Sequence, residues 1–143
     1  LTASPPESGR GGSAWLQGLH PQRPSAELGV LQLAWLGDAV WELHQRLDRC
    51  RAPARAQDLH RHVVAAVRAD AQALLLERLE PSLRSAEREL VRRARNRAGR
   101  GPRGGDPSVY ARATGFEALL GWLFLHDPAR LVELLDHLND NNP

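Results

Sequence analysis

Two carboxylates stand where their charge is hardest to hold. Asp38 lies in the run Leu31-Gln-Leu-Ala-Trp-Leu-Gly-Asp-Ala-Val-Trp-Glu-Leu43, and its helical neighbours Leu31, Ala34, Trp35 and Trp41 are apolar. Glu117 is the one carboxylate between Pro107 and His126, with Tyr110, Thr114, Gly121 and Phe124 near the same side of a helix. An ionised acid in such company is costly unless a cation or hydrogen-bond donors meet it. A divalent metal is one such partner: Mg²⁺ prefers oxygen ligands, keeps several waters and is commonly held by one or two carboxylates plus substrate phosphate. The structural alternative for Asp38 is to cap a neighbouring helix or to pair with an arginine in a subunit contact. Zinc chemistry has little support. Cys50 is the sole cysteine, and His60 and His62, two residues apart, do not share a helix face.

A second set of residues suits phosphate. Between positions 81 and 103 the chain carries eight arginines against two glutamates, whereas its formal net charge is only +2. Arg88, Arg92 and Arg95 recur along one side of a helix, with Arg84 if it is already helical, and Arg97, Arg100 and Arg103 continue onto a glycine-rich loop expected to be mobile. Such a stripe is often only a solvated face, which Glu87 and Glu89 could partly neutralise. Its extension into an Arg-rich, Gly-rich loop favours nucleic acid, because guanidinium forks match phosphate oxygens. All 19 basic residues are arginine. That bias supports no mechanism by itself.

The elements that must position these groups are helical. Leu33, Leu36, Val40, Leu43 and Leu47 predict the core face of a first helix, starting at Ser25 or just past Gly29 and ending near Leu47 or Asp48. Leu59, Val63, Val67 and Leu74, with Val64, Leu75 and Leu79, predict a long helix or a close pair over 54–79, kinked near 69–71. A third helix opens at Ser82 or Ser85 and stops at Gly99, with Leu83, Ala86, Leu90 and Ala94 inward. Pro107 opens a fourth, through Ala113, Phe116, Leu120 and Leu123. Asp127-Pro128 caps a fifth with Leu131, Leu134, Leu135 and Leu138 inside. No period-two run or hairpin signal appears, so the class is all-α. At 143 residues, 42% of them hydrophobic, one domain is expected. It spans 25–140, behind a flexible Pro- and Gly-rich leader, 1–24, in which Trp15 and Leu16 could dock locally, and its basic stripe and loop cover about 84–105. No span of roughly 18–20 apolar residues and no signal pattern is present. With its single cysteine, the chain reads as a cytoplasmic protein.

Two acids on separate helices with a basic segment between them resemble the ribonuclease III family. Leu36-Gly-Asp-Ala-Val40 is similar to the signature of its catalytic domain, and Phe116-Glu-Ala-Leu-Leu-Gly121 to its second acidic motif. The nearer resemblance is to the short Mini-ribonuclease III branch, which consists of the catalytic domain without the double-stranded-RNA-binding domain. It is carried by Leu33-Ala-Trp-Leu-Gly-Asp-Ala-Val-Trp-Glu42, Arg92-Arg-Ala-Arg-Asn-Arg97 and Tyr110-Ala-Arg-Ala-Thr-Gly-Phe-Glu-Ala-Leu119. Full-length members carry four acids per site. Here the positions four before Asp38 and three before Glu117 are Ala34 and Thr114, as in the short branch.

The resemblance implies a homodimeric helical bundle that acts as an endoribonuclease on double-stranded RNA. Cleavage would leave a 5′-phosphate and a staggered cut, with the ends of the large-subunit (23S) ribosomal RNA precursor as substrate. It implies Asp38 and Glu117 as catalytic, metal-holding acids for Mg²⁺, with Mn²⁺ as an admissible substitute. Arg88, Arg92, Arg95, Asn96, Arg97, Arg100 and Arg103 would bind RNA. Thr114 would stand just outside the metal, as would Glu42 unless, as its place one turn after Asp38 favours, it serves as a structural partner for an arginine. A ribosomal-protein helper is compatible with this reading. Two other classes remain open, an all-α RNA-binding module without catalysis and a helical interaction domain.

Overall fold

The computed structural model describes residues 13–19 and 28–140. Six α-helices carry the fold: α1 (Val30–Arg49), α2 (Ala56–Val67), α3 (Ala69–Leu79), α4 (Ser85–Arg97), α5 (Pro107–His126) and α6 (Pro128–Asp140). A 3₁₀ turn, Ala14–Gly18, precedes them and another, Glu80–Ser82, links α3 to α4. There is no strand among the described residues, and none of their helices is long and apolar enough to cross a membrane.

α5 is the axis of the bundle. A helix apolar on every side has to be surrounded. Nine of its residues, from Ala113 to Leu123, are buried, and α1, α3, α4 and α6 all pack against it. Its start is set by Asp106, whose carboxylate accepts from the Ser108 N–H at 2.8 Å, and by Pro107 in the first turn. Asp127 repeats the device for α6, accepting from the Arg130 N–H at 3.1 Å. Leu131, Leu134, Leu135 and Leu138 form the inner face of α6, as their spacing predicts.

The core face of α1 departs from the leucine stripe. Val30, Leu33, Ala34, Gly37, Val40, Trp41 and His44 are buried, whereas Leu43 and Leu47 are exposed. At about 100° per residue this turns the core face by roughly a quarter of a revolution. Ala34 and Gly37 explain the turn, because a neighbouring helix comes closest where side chains are smallest. The second apolar side of this helix is left open within the single chain: Trp35 is 76% exposed and Leu31 46%. The capping role expected of Ser25 falls outside the described residues, and Gly29 is the residue that precedes α1.

The segment 54–79 is a close pair. Arg68, at φ −65° and ψ 148°, ends α2 and begins α3. That extended residue shifts the phase, so Gln72, Ala73, Leu76 and Leu79 face inward while Leu74 is exposed; Val64, in α2, is exposed as well. In α4, Leu90 and Ala94 point inward and Leu83 is buried just before it, but Ala86 is exposed and Glu87 takes the inner position. The helix ends at Arg97, two residues before the expected Gly99. Of the expected leader, residues 1–12 and 20–24 lie outside the described set, whereas Leu16 is buried in the main core.

Glu87 can be buried because Arg130 reaches it from α6. The guanidinium donates to both carboxylate oxygens, at 3.0 and 2.9 Å, and also to the Ser82 carbonyl at 2.8 Å and to Glu133 at 3.1 Å. Burial pushes the Glu87 carboxyl up, but the hydrogen bonds from Arg130 and from the Arg84 N–H, with both arginine charges, hold it below the usual carboxylate value. Glu87 therefore does not neutralise the arginine stripe of its own helix; it joins α4 to α6. Arg130→Ala leaves this carboxylate buried and unpaired, and is expected to destabilise the fold by about 3–5 kcal/mol in urea unfolding. Replacing the pair together, Glu87→Leu with Arg130→Met, should recover most of that loss. A double variant as unstable as the single one would show that the pair contributes more than mutual neutralisation.

Candidate active site

The two acids meet where α1 and α5 cross. A Cβ placed on Gly37 would lie 1.7 Å from the Glu117 carbonyl oxygen, and one placed on Gly121 would lie 2.0 Å from the Leu33 carbonyl oxygen. The helices thus run antiparallel with their backbones in contact, which only glycine at both positions permits. The space beside Gly121 is filled by the backbone of α1. Because Asp38 follows Gly37 directly and Glu117 supplies the carbonyl that Gly37 meets, the crossing carries both carboxylates into one neighbourhood.

Their electrostatics follow from that placement. Asp38 lies on the exposed shoulder of α1, and its carboxyl is raised above the ordinary value by partial desolvation and then by the negative charge of Glu42. Glu117 is more enclosed: burial, then the charge of Asp38, pushes its carboxyl up to about 8. The asymmetry has a simple origin. Asp38 ionises first, and its charge then opposes ionisation of Glu117. A cation near both oxygens would offset the burial cost and the repulsion together, and hard carboxylate oxygens are the donors that Mg²⁺ selects. Among the described residues no group of three or more His, Cys, Asp or Glu is gathered as a metal cluster, so the protein side of such a site is this pair.

The neighbouring candidates are engaged locally. Glu42 accepts from the Arg46 guanidinium at 3.0 Å, one turn along α1. The Thr114 hydroxyl donates to the Tyr110 carbonyl at 3.0 Å, within its own helix. Ala34, four residues before Asp38, is buried.

The arginines are not alike. Arg88 donates to the Leu83 and Glu80 carbonyls at 3.0 and 3.1 Å, closing the turn that leads into α4. Arg92 forms a two-bond fork with Glu89, at 2.9 and 2.6 Å. The stem of Arg95 crosses Gly115 of α5, where an added Cβ would stand 3.1 Å from its Cγ. Arg97, Arg100 and Arg103 are exposed. Arg92 and Asn96 form a ridge between two clefts: one of about 370 Å³ that also takes Arg88 and Arg95, and one of about 450 Å³ closed by Arg93, Arg97 and the first turn of α1. The loop after α4 has a defined shape. Gly99, Gly101 and Gly104 adopt φ of 71°, 75° and 80°, and Gly101 sits so close to the Tyr110 ring that a Cβ would approach it to 2.5 Å.

Sequence reasoning did not single out Gly37 or Arg93. Gly37 was legible, since a glycine inside an apolar helix beside the one acid signals close backbone approach. Nothing in the sequence separates Arg93 from its neighbours.

Residues 31–128 match the Ribonuclease III domain family. The Mini-ribonuclease 3 of Gloeobacter violaceus is 52% identical over 113 residues, covering 79% of this chain and 83% of its own length. The chain belongs to the Mini-ribonuclease 3 branch of the ribonuclease III family. The Synechococcus Mini-ribonuclease 3 is 47% identical over 125 residues, 86% of this chain and 91% of its own. A crystal structure of a Fusobacterium nucleatum protein superposes with a TM-score of 0.71 at 29% identity, covering 80% of this chain and 92% of that one. Membership of the Mini-ribonuclease 3 branch makes the protein an endoribonuclease.

The strained acid has a consequence for stability. A carboxyl raised to about 8 in the native state ionises near pH 4.5 when unfolded, so it destabilises the metal-free fold progressively from pH 4.5 to 8. Glu117→Gln should therefore stabilise the metal-free protein at pH 8, by roughly 1–3 kcal/mol after allowance for solvent screening, and hardly at all at pH 4. An equal effect at the two pH values would assign the gain to packing instead. Gly121→Ala is expected to act oppositely and lower the melting temperature at every pH, because its methyl has to displace backbone.

Proposed function

We propose that the protein is a Mg²⁺-dependent endonuclease of double-stranded RNA that matures the ends of the large-subunit (23S) ribosomal RNA precursor in the cytoplasm, with residues 25–140 as its catalytic unit. The observation that carries this reading is the acid pair at the Gly37 and Gly121 crossing, where burial and then the Asp38 charge raise the cost of ionising Glu117, beside an arginine-rich face. When bound, Mg²⁺ (or Mn²⁺) supplies Lewis acidity, which makes water a better nucleophile at phosphorus and neutralises the leaving 3′ oxygen. The product ends are a 5′-phosphate and a 3′-hydroxyl.

The chain's own residues do the rest. Asp38, ionised first, is the standing negative charge that draws a cation in. Glu117 gives up its proton as a cation is held, so the apparent metal affinity should depend on pH. Arg92, Arg95, Asn96 and Arg97, with Arg93, present a cationic face for the RNA backbone, and Arg100 and Arg103 extend it along the shaped loop. Arg88, tied to two carbonyls, shapes the turn before it adds charge. Glu42 screens Arg46 and lifts Asp38. Thr114 fills the position of the missing acid without offering a charge.

Two strands require two sites. Antiparallel strands are related by an approximate two-fold axis, so a C₂ homodimer presents one acid pair to each. The exposed Trp35 and Leu31, one turn apart on α1, form the face proposed for that contact; Trp41, on the same helix, is buried within its own subunit.

Asp38→Asn and Glu117→Gln are each expected to abolish cutting of duplex RNA in Mg²⁺ while leaving binding in EDTA nearly unchanged. Binding with no cutting by the wild type would leave an inactive RNA-binding module, and neither would leave an interaction domain. Metal affinity should fall by up to about tenfold for each pH unit below 8, since one proton has to leave Glu117. A flat profile between pH 6 and 8 would mean that Glu117 is not a ligand. For the cationic face, replacing Arg92, Arg95 and Arg97 by Gln should flatten the log-log salt dependence of binding by about 0.7–0.9 for each phosphate that is no longer neutralised. An unchanged slope would turn that face away from RNA.

A further inference from the structure

α1 and α5 pack along much of their length, and two of their contacts bear on the acids. At the acid pair the backbones are in contact over a full turn, from Gly37 against Glu117 to Gly121 against Leu33. One turn beyond Gly37 on α1, Trp41 meets Phe116 edge to face, with centroids 5.2 Å apart and planes at 87°. Phe116 is fully buried and directly precedes Glu117. The aromatic pair is therefore a side-chain contact between the two helices immediately beside the acids, placed to act as a spacer between them.

Trp41 is held from two further directions. Its indole N–H donates to the Ala66 carbonyl at the end of α2, at 3.0 Å. Its ring lies against His44, centroids 5.7 Å apart, and His44 is covered in turn by Trp15, at 6.4 Å and nearly parallel at 17°. The Trp15 indole N–H stands 3.5 Å from His44 Nδ1. Trp15 belongs to the 3₁₀ turn before α1, a short segment anchored by the fully buried Leu16. Four rings thus run without interruption from this turn to the residue before Glu117.

The Trp15 N–H directed at Nδ1 favours the neutral ring of His44 in the middle of the stack. Burial lowers its pKa, against the opposing charges of Asp48 on its own helix and Asp136 on α6, and with the Arg51 charge helping to lower it.

We propose that residues 13–19 are a positioning strap for the acid pair: Trp15 and His44 fix Trp41 and Phe116, and so set how Asp38 faces Glu117, without touching metal or RNA. This rests on the reading that the two acids hold a divalent cation.

The test uses the full chain and Mn²⁺ alone, its affinity read in the absence of RNA from the electron paramagnetic resonance of the free ion. Trp15→Ala should keep the helix content and, in EDTA, the duplex-RNA affinity of the wild type, yet bind Mn²⁺ about tenfold more weakly, the size of effect expected when a residue that orients ligands is lost. Trp15→Phe, which keeps a ring on His44, should restore most of that affinity. Cleavage by Trp15→Ala should need more Mg²⁺ and recover at saturation, with the KM for RNA unchanged. Unchanged Mn²⁺ affinity in Trp15→Ala would overturn the proposal. So would a loss of helix content, which would make the strap only part of the core, or a Phe variant no better than Ala. A wild type that binds no Mn²⁺ would remove the acid-pair reading itself, and the strap's role with it, and would be recognised before any variant is compared.

Discussion

The contact on which the rest depends is the one between the backbones of α1 and α5. Two glycines allow it, and the apolar surroundings enforce it, because α5 has no polar face to leave in water and must be wrapped. Once the helices cross at that distance, the placement of the acids follows: one is next to the first glycine, the other supplies the carbonyl that this glycine meets. The rest of the bundle holds the crossing in place. α3 is tied to α5 by Glu77 and Arg112, and α4 leans on α5 through Gly115 and on α6 through Glu87 and Arg130.

Charge is used in two opposite ways within this small core. Glu87 is almost wholly buried, and its guanidinium partner keeps it ionised below the usual range. Glu117 is less enclosed, has another carboxylate for company, and is driven toward neutrality. The difference lies in what faces each group across the helix interface. A structural acid has its counter-charge built in, whereas an acid with the metal-holding role proposed for Glu117 would go without one until a cation is bound.

Much of this was written in the sequence, though unevenly. The all-α class, the span of α5 and α6 and the two acids were legible because long apolar periodicity, Asp-Pro caps and lone carboxylates are strong local signals. The orientation of α1 was not. Leu43 and Leu47 continue a perfect stripe, yet the neighbour comes closest at Ala34 and Gly37, so interhelical distance overrides side-chain hydrophobicity. The extended backbone at Arg68 likewise rephased α3 and exposed Leu74. Glu87 looked like a surface neutraliser because its partner is 43 positions away in the chain, and no local pattern announces a partner so distant.

The fork between Glu89 and Arg92 has a consequence for which anions this face can accept. Arg92 is already satisfied by a carboxylate on its own helix, so an incoming phosphate has to displace that carboxylate and return it to water. For a lone small anion the exchange gains little. A polymer that touches several guanidiniums at once spreads the same cost over many phosphates, and the second and third of them engage at high local concentration. On the proposed RNA-binding role, an arginine face that is partly self-neutralised would discriminate by valency: free nucleotides and inorganic phosphate would be poor competitors, and a chain of phosphates long enough to bridge the ridge would be a good one.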